Sequence, residues 1–230
     1  MKKQLFTGAL AGIVALSMAG EASAFSLIDG TTKGFYNQAI GTSLNLTNPT
    51  SGTYLFPGDY QTYGDPTFNP VPFEPNLSAA SSALGNWLTA PTALNANWNF
   101  QSIPATWQVN DETAIIYKIN AGSTGLSNVV AKFGVDNGLF VWLDGTFKSG
   151  WLAPGGASPN EYTLSFSSLT AGDHYLQILR EDHGGGTGFN INVTAELAAP
   201  VPEPETYAMM LAGLGLLGVM ARRRKQKLNA

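Results

Sequence analysis

Between Trp98 and Leu197 the chain is built from short apolar runs separated by turn residues, and that spacing limits the fold more than any other feature. "GFNINVTAEL" is the clearest run: Phe189, Ile191, Val193, Ala195 and Leu197 alternate with Asn190, Asn192, Thr194 and Glu196. Period-two alternation is the signature of a half-buried antiparallel strand. "EYTLSFSSL" alternates Tyr162, Leu164 and Phe166, and "HYLQILRE" sets His174, Leu176 and Ile178 against Tyr175, Gln177 and Leu179. "TAIIYKI" reads as a fully buried strand. "NVVAKFGV" and "GLFVWLDG" follow, separated by Asp136-Asn137-Gly138, which reads as a hairpin-type turn. Strands recurring every 8 to 12 residues or so predict an all-β fold, an antiparallel β-sandwich of jelly-roll type. Residues 25–76, rich in Gly, Pro, Asn, Thr and Tyr, admit short strands and long loops but no long helix. "LSAASSALGNWL" (Leu77–Leu88) reads as one short helix with Ser78 as its N-cap.

Composition narrows the function. The 230 residues hold 26 Gly and 13 Pro but no Cys, which excludes disulfides, thiolate metal sites and cysteine nucleophiles. Between Phe25 and Pro200, five basic residues face thirteen acidic ones, a net charge of −8. Such a surface repels phosphate backbones, so nucleic acid is not an expected partner.

The ends read as addresses. "MKKQLFTGALAGIVALSMAGEASAFS" has two lysines, an apolar run from Leu5 to Ala19 and an A-x-A site, the layout of a secretory signal cleaved between Ala24 and Phe25. The expected partners at this step are the Sec translocon and signal peptidase. Near the other end, Tyr207 to Ala221 is uncharged and apolar. As a helix these residues span about 22 Å, short of a bilayer core of about 30 Å. Arg222, Arg223 and Arg224 would hold the end in the cytoplasm, making a marginal transmembrane anchor. "AAPVPEPE" reads as an extended spacer.

"VPEPETYAMMLAGLGLLGVMARRRK" resembles the PEP-CTERM sorting signal of Gram-negative bacteria, with Pro202-Glu203-Pro204 after Val201, a Gly-Leu helix and an Arg cluster in that order. Where that family often has Ser or Thr after the motif, this chain has Glu205. The resemblance implies recognition by exosortase, a multi-span membrane cysteine protease-transpeptidase, and a link to exopolysaccharide production. The domains expected are a signal peptide (1–24), a sandwich (25–199, its regular strands mainly 98–199), a spacer (200–206), a transmembrane helix (207–221) and a basic tail (222–230).

The order "FGVDNGLFVWLDG … GW … SSLTAGDHYLQILREDHGGGTGFNINV" also resembles galactose-binding-like and protective-antigen-like jelly rolls, many of which are sugar-binding modules. In the calcium-dependent members, adjacent aspartates in the first turn ligate the metal. The matching position here holds Asp136 and Asn137, one carboxylate short of that pair. The resemblance thus names these two residues as metal candidates; no other cofactor is expected, and on residue type alone Asp136, Asn137 and Asp144 fit turn formation better.

Saccharides stack on aromatic faces while carboxylates and amides take their hydroxyls. Trp142, Trp151, Asp144, Asp182 and His183 are the candidate ligand residues on that basis. Trp142 fits the core as well, since the five-residue apolar strand around it buries both faces, and Trp151 fits either role. "HGGG" (His183 to Gly186) matches the esterase oxyanion-hole motif. "AGSTG" (Ala121 to Gly125) precedes it and lacks the first Gly of a nucleophile elbow, and no His follows to act as base. The Gly-rich segment reads instead as a hairpin loop, and no catalytic residue is expected. The chain is therefore expected to be a non-enzymatic protein of the cell envelope or biofilm matrix, held transiently in the inner membrane and binding polysaccharide weakly. A structural coat protein without a ligand is the alternative, and a hydrolase the more remote one.

Overall fold

A computed structural model describes residues 23–44, 69–71, 73–153, 156–182, 185–198 and 204–228. The strands are β1 (Phe25–Ile28), β2 (Lys33–Gly41), β3 (Asn99–Ser102), β4 (Glu112–Asn120), β5 (Leu126–Leu143), β6 (Thr146–Ala153), β7 (Tyr162–Leu169), β8 (Asp173–Glu181) and β9 (Gly188–Leu197). A short helical segment, a 3-10 turn at Ser78–Ala80 running into α1 (Ser81–Leu84), precedes β3, and α2 (Pro204–Leu228) follows β9.

All pairings are antiparallel, and they form two sheets joined by one strand. β5 is 18 residues long. Its first half pairs with β7 and β9, from Leu126↔Leu169 to Asp136↔Gly188. Its second half pairs with β6 and β8, from Asn137↔Ala153 and Gly138↔Glu181 to Leu143↔Leu176. One sheet therefore runs β1-β9-β5-β7 and the other β3-β2-β4-β8-β5-β6. Asp136-Asn137-Gly138 is the crossing point, not a hairpin turn: the strand keeps its direction and changes sheet, and the Asp136–Asn137 peptide is cis. Glycine is required just beyond. A Cβ on Gly138 would lie 3.0 Å from the Trp151 carbonyl and 3.2 Å from Glu181 Oε2.

Alternation places the core as expected in β9, where Phe189, Ile191, Val193 and Ala195 are buried, although Leu197 at its end is exposed. Together with Ile115, Tyr117, Phe133, Val141 and Ile178 they fill the space between the sheets. The outer face of the second sheet is not solvated. Val71 and residues 73–98 cover it, packing Leu84, Trp87 and Trp98 onto Ile116, Phe140, Trp142 and Leu179. Side-chain amides and an indole stitch this layer down. Asn37 Nδ2 donates to the Ala83 carbonyl (2.9 Å), Gln177 Nε2 to that of Trp87 (2.6 Å) and Trp98 Nε1 to that of Leu84 (3.1 Å). The helix expected at Leu77–Leu88 is shorter than its pattern. Its cap position falls on Leu77, not Ser78, and Asn76 Oδ1 accepts the Ser78 amide (3.0 Å).

At the C-terminus, α2 starts at Pro204, so the expected spacer ends earlier than residue 206 and the basic residues continue the helix. Proline is well suited to a first helical position, where its missing N–H has no partner to lose. Residues 208–225 are exposed, including Met209, Leu211, Leu214, Leu217 and Met220. Among the described residues no helix is long and apolar enough to cross a membrane. Residues 1–22 of the signal segment, Val201, Pro202 and Glu203 lie outside the described residues; Ala24 and Phe25 are described, and Phe25 opens β1.

Candidate functional site

The candidate residues read from the sequence divide between the two ends of the sandwich. Asp136, Asn137 and Asp182 lie where β5 changes sheet and β8 ends, while Asp144 lies in the β5–β6 turn, about 26 Å away along β5. His183 lies outside the described residues.

At the crossing end, Asp182 is 0% exposed, and its Oδ2 accepts the Asn110 amide (2.6 Å). Asn137 is buried and Asp136 half-buried. Calcium needs six to eight oxygen ligands or so. Among the described residues no three His, Asp or Glu side chains gather to hold a metal ion. The β8–β9 connection is not a hairpin loop, since its two strands pair in different sheets; Gly185 has positive φ there, but Gly186 and Gly188 do not. Ala121 to Gly125 turns at the opposite end, beyond Asn120, which pairs with Asp173. Ala121 to Gly125 and the end of β8 at Glu181 are thus separated by roughly the length of β4, about 25 Å, while His183 and Gly184 lie outside the described residues.

The two tryptophans singled out are core residues. Trp142 is 0% exposed, edge-on to Trp87 (5.5 Å) and Phe147 (5.5 Å), with Nε1 donating to Glu74 Oε1 (2.7 Å). Trp151 is 5% exposed and stacks on Tyr162 (5.4 Å). Neither ring has a face left for a sugar. Asp144 builds its turn, as its residue type predicts. Asp144 and Gly145 have φ of 52° and 73°, as tight primed hairpin turns require. Asp144 Oδ1 accepts the Tyr175 amide (2.8 Å), and Oδ2 takes His174 Nδ1 (2.7 Å). His174, near the start of β8, also directs Nε2 at the Thr170 carbonyl (2.9 Å). Burial alone would lower its pKa, but the bonds to Asp144 and Thr170 outweigh burial and raise it.

Sequence reasoning did not single out Glu112 or Arg180. Glu112, first in β4, is 1% exposed on the covered face of its sheet. Burial first, and then the charge of Glu181, push its pKa up to about 9. Arg180 is buried on the other face of the same sheet, directly across from Thr113. Its Nε donates to Thr113 Oγ1 (2.9 Å) and Nη1 to the Pro104 carbonyl (2.7 Å). The guanidinium lies 4.2 Å from the Trp107 ring centroid, 5.0 Å from Phe189 and 5.4 Å from Tyr36. Burial lowers its pKa to about 10, so it stays cationic at neutral pH. Neither role is visible in one dimension, because both depend on the register between β4 and β8.

Comparison with known proteins decides the tail. The model of the PEP-CTERM protein-sorting motif matches residues 200–225. The tail is a PEP-CTERM sorting motif. That motif begins three residues after β9 ends at Leu197, so the sandwich is complete before it. No curated protein matches the chain. Among solved structures, the PA14 sugar-binding domain from an RTX adhesin is similar over 74% of this chain and 93% of its own (12% identity, TM-score 0.31). The CBM36-1 domain of a multidomain xylanase from the hindgut metagenome of Trinervitermes trinervoides is similar over 43% and 90% (16% identity, TM-score 0.26). A Bifidobacterium dentium β-glucuronidase matches over 49% of this chain (10% identity, TM-score 0.36), and the chain spans only 27% of that enzyme.

Proposed function

We propose that this chain is an exported sandwich protein, handed by its PEP-CTERM motif to an exosortase-type membrane enzyme. It is then released to the envelope or extracellular matrix of a Gram-negative bacterium, where it serves as a non-enzymatic component associated with exopolysaccharide. The observation that carries the reading is the sorting motif at residues 200–225, attached to a sandwich that closes before it. The exposed apolar side chains of α2, from Met209 to Met220, support it. Such a surface is unfavourable in water, and a lipid environment would cover it. Weak saccharide binding by the sandwich completes the reading, supported by a polar cleft beside Trp107. The test is replacement of Pro202, Glu203 and Pro204 by Ala in a host that carries the processing enzyme. Full-length chain should then accumulate in the membrane fraction. Release equal to that of the unaltered chain would refute sorting through this motif.

A further inference from the structure

Of the five tryptophans, all described, Trp87, Trp98, Trp142 and Trp151 are buried, and Trp107 alone is half-buried. It borders a cleft of about 400 Å³ lined by Tyr36, Gln38, Trp107, Gln108, Asp111 and Thr113. That volume is within the usual range for small-molecule sites, roughly 300–1,000 Å³.

The indole is held from several sides. The Trp107 backbone N–H donates to Thr187 Oγ1 (2.9 Å), and that hydroxyl donates to the Trp107 carbonyl (2.9 Å). The ring Nε1 of Trp107 donates to the Asp111 carbonyl (2.7 Å). One face rests on the Arg180 guanidinium, which is itself fixed by Thr113 and Pro104. With that face covered and the ring N–H used internally, the part of the Trp107 ring that borders the cleft offers carbon surface and no hydrogen-bond donor. Ligand C–H groups can stack on such a surface, and a ligand gains no hydrogen bond from it. Hydrogen bonding comes from the surrounding groups. Gln38 and Gln108 are exposed carboxamides, each both donor and acceptor, and Asp111 is a half-buried carboxylate that accepts. A rigid apolar platform ringed by amides and one carboxylate matches a pyranose, with its C–H face and equatorial hydroxyls. The Asp111 charge disfavours a sugar that carries its own carboxylate.

We propose that this cleft binds a neutral hexopyranose unit of a polysaccharide. Trp107 is the stacking platform, Gln38, Gln108 and Asp111 take the hydroxyls, and Arg180 is a positioning residue beneath the ring. The proposal rests on the saccharide-binding part of the reading above and assigns it a place and a sugar class.

The test uses the full-length chain in detergent on an array of neutral glucans, galactans and mannans, with polygalacturonate as the anionic probe. Binding to at least one neutral polysaccharide is expected, with a change in Trp fluorescence. Gln38→Ala with Gln108→Ala, both exposed, should weaken it about fivefold or more without moving the thermal midpoint. Trp107→Ala should abolish binding, and polygalacturonate should bind more weakly than the neutral ligand. If the unaltered chain binds no glycan on the array, the saccharide-binding reading fails and this proposal falls with it. Binding that survives both the double change and Trp107→Ala overturns the site alone. Polygalacturonate binding as tight as the neutral ligand's overturns the sugar class.

Discussion

Glu112 opens β4 1% exposed, with Glu181 close by and, among the described residues, no hydrogen-bond partner for Oε2. An ionised carboxylate there would be desolvated beside another acid, so the folded protein holds the proton up to a pKa of about 9, against the ordinary 4.5. Between those values the folded state binds a proton that the unfolded chain releases, and stability therefore falls as pH rises. The slope is roughly 1.4 kcal/mol per pH unit, so the group costs about 3 kcal/mol at pH 7 and a little under 1 at pH 5. Glu112→Gln keeps the shape, cannot ionise, and can donate its amide toward Glu181. Urea unfolding of both proteins at pH 5, 7 and 8.5 isolates the effect, because every other titrating group is common to the two. The variant should lie within about 1 kcal/mol of the parent near pH 5 and exceed it by about 1–3 kcal/mol at pH 7, with a larger gap at pH 8.5. Parallel stability curves across this range would refute the argument and place an ionised, compensated carboxylate at this position.

Other consequences follow from the packing. Trp142→Ala removes a ring packed on Trp87 and Phe147 together with the bond to Glu74, and should destabilise by about 3–5 kcal/mol in urea unfolding. A loss under about 1 kcal/mol would mean that the ring is not core. His174 has an acceptor at each ring nitrogen, and its pKa is raised above the ordinary 6.5. The stability it adds should be full below pH 6.5 and lost as pH rises through the folded value. An imidazole NMR titration with a midpoint at or below 6.5 would contradict this.

The strand pattern of the second half was readable because each run kept one period, as β9 does from Phe189 to Ala195. The signal for β4 was equally clear, since a strand covered on both faces needs no alternation. Asp136-Asn137-Gly138 misled because the same residue types serve a chain reversal and a strand changing sheets. Only the pairing partners, Gly188 before the crossing and Ala153 after it, distinguish the two. Trp142 and Trp151 drew attention as ligand candidates because composition cannot say which indole is covered, and the cover over Trp142 comes from residues about 50 positions earlier, around Trp87. Trp107 was passed over for the converse reason. Nothing local marks it, and its setting depends on Arg180 and Thr187, more than 70 residues away in sequence. The sorting motif, by contrast, was legible because its order of Pro-Glu-Pro, apolar run and arginines acts locally and needs no tertiary partner.

The central claim, export and sorting, is tested most directly by the intact mass of the protein recovered from the culture medium and envelope of its native host. The account predicts a chain that begins at Phe25 and ends near Pro204, free of the membrane. A chain found in the membrane fraction that still carries Tyr207 through Ala230 would contradict it and make α2 a lasting anchor.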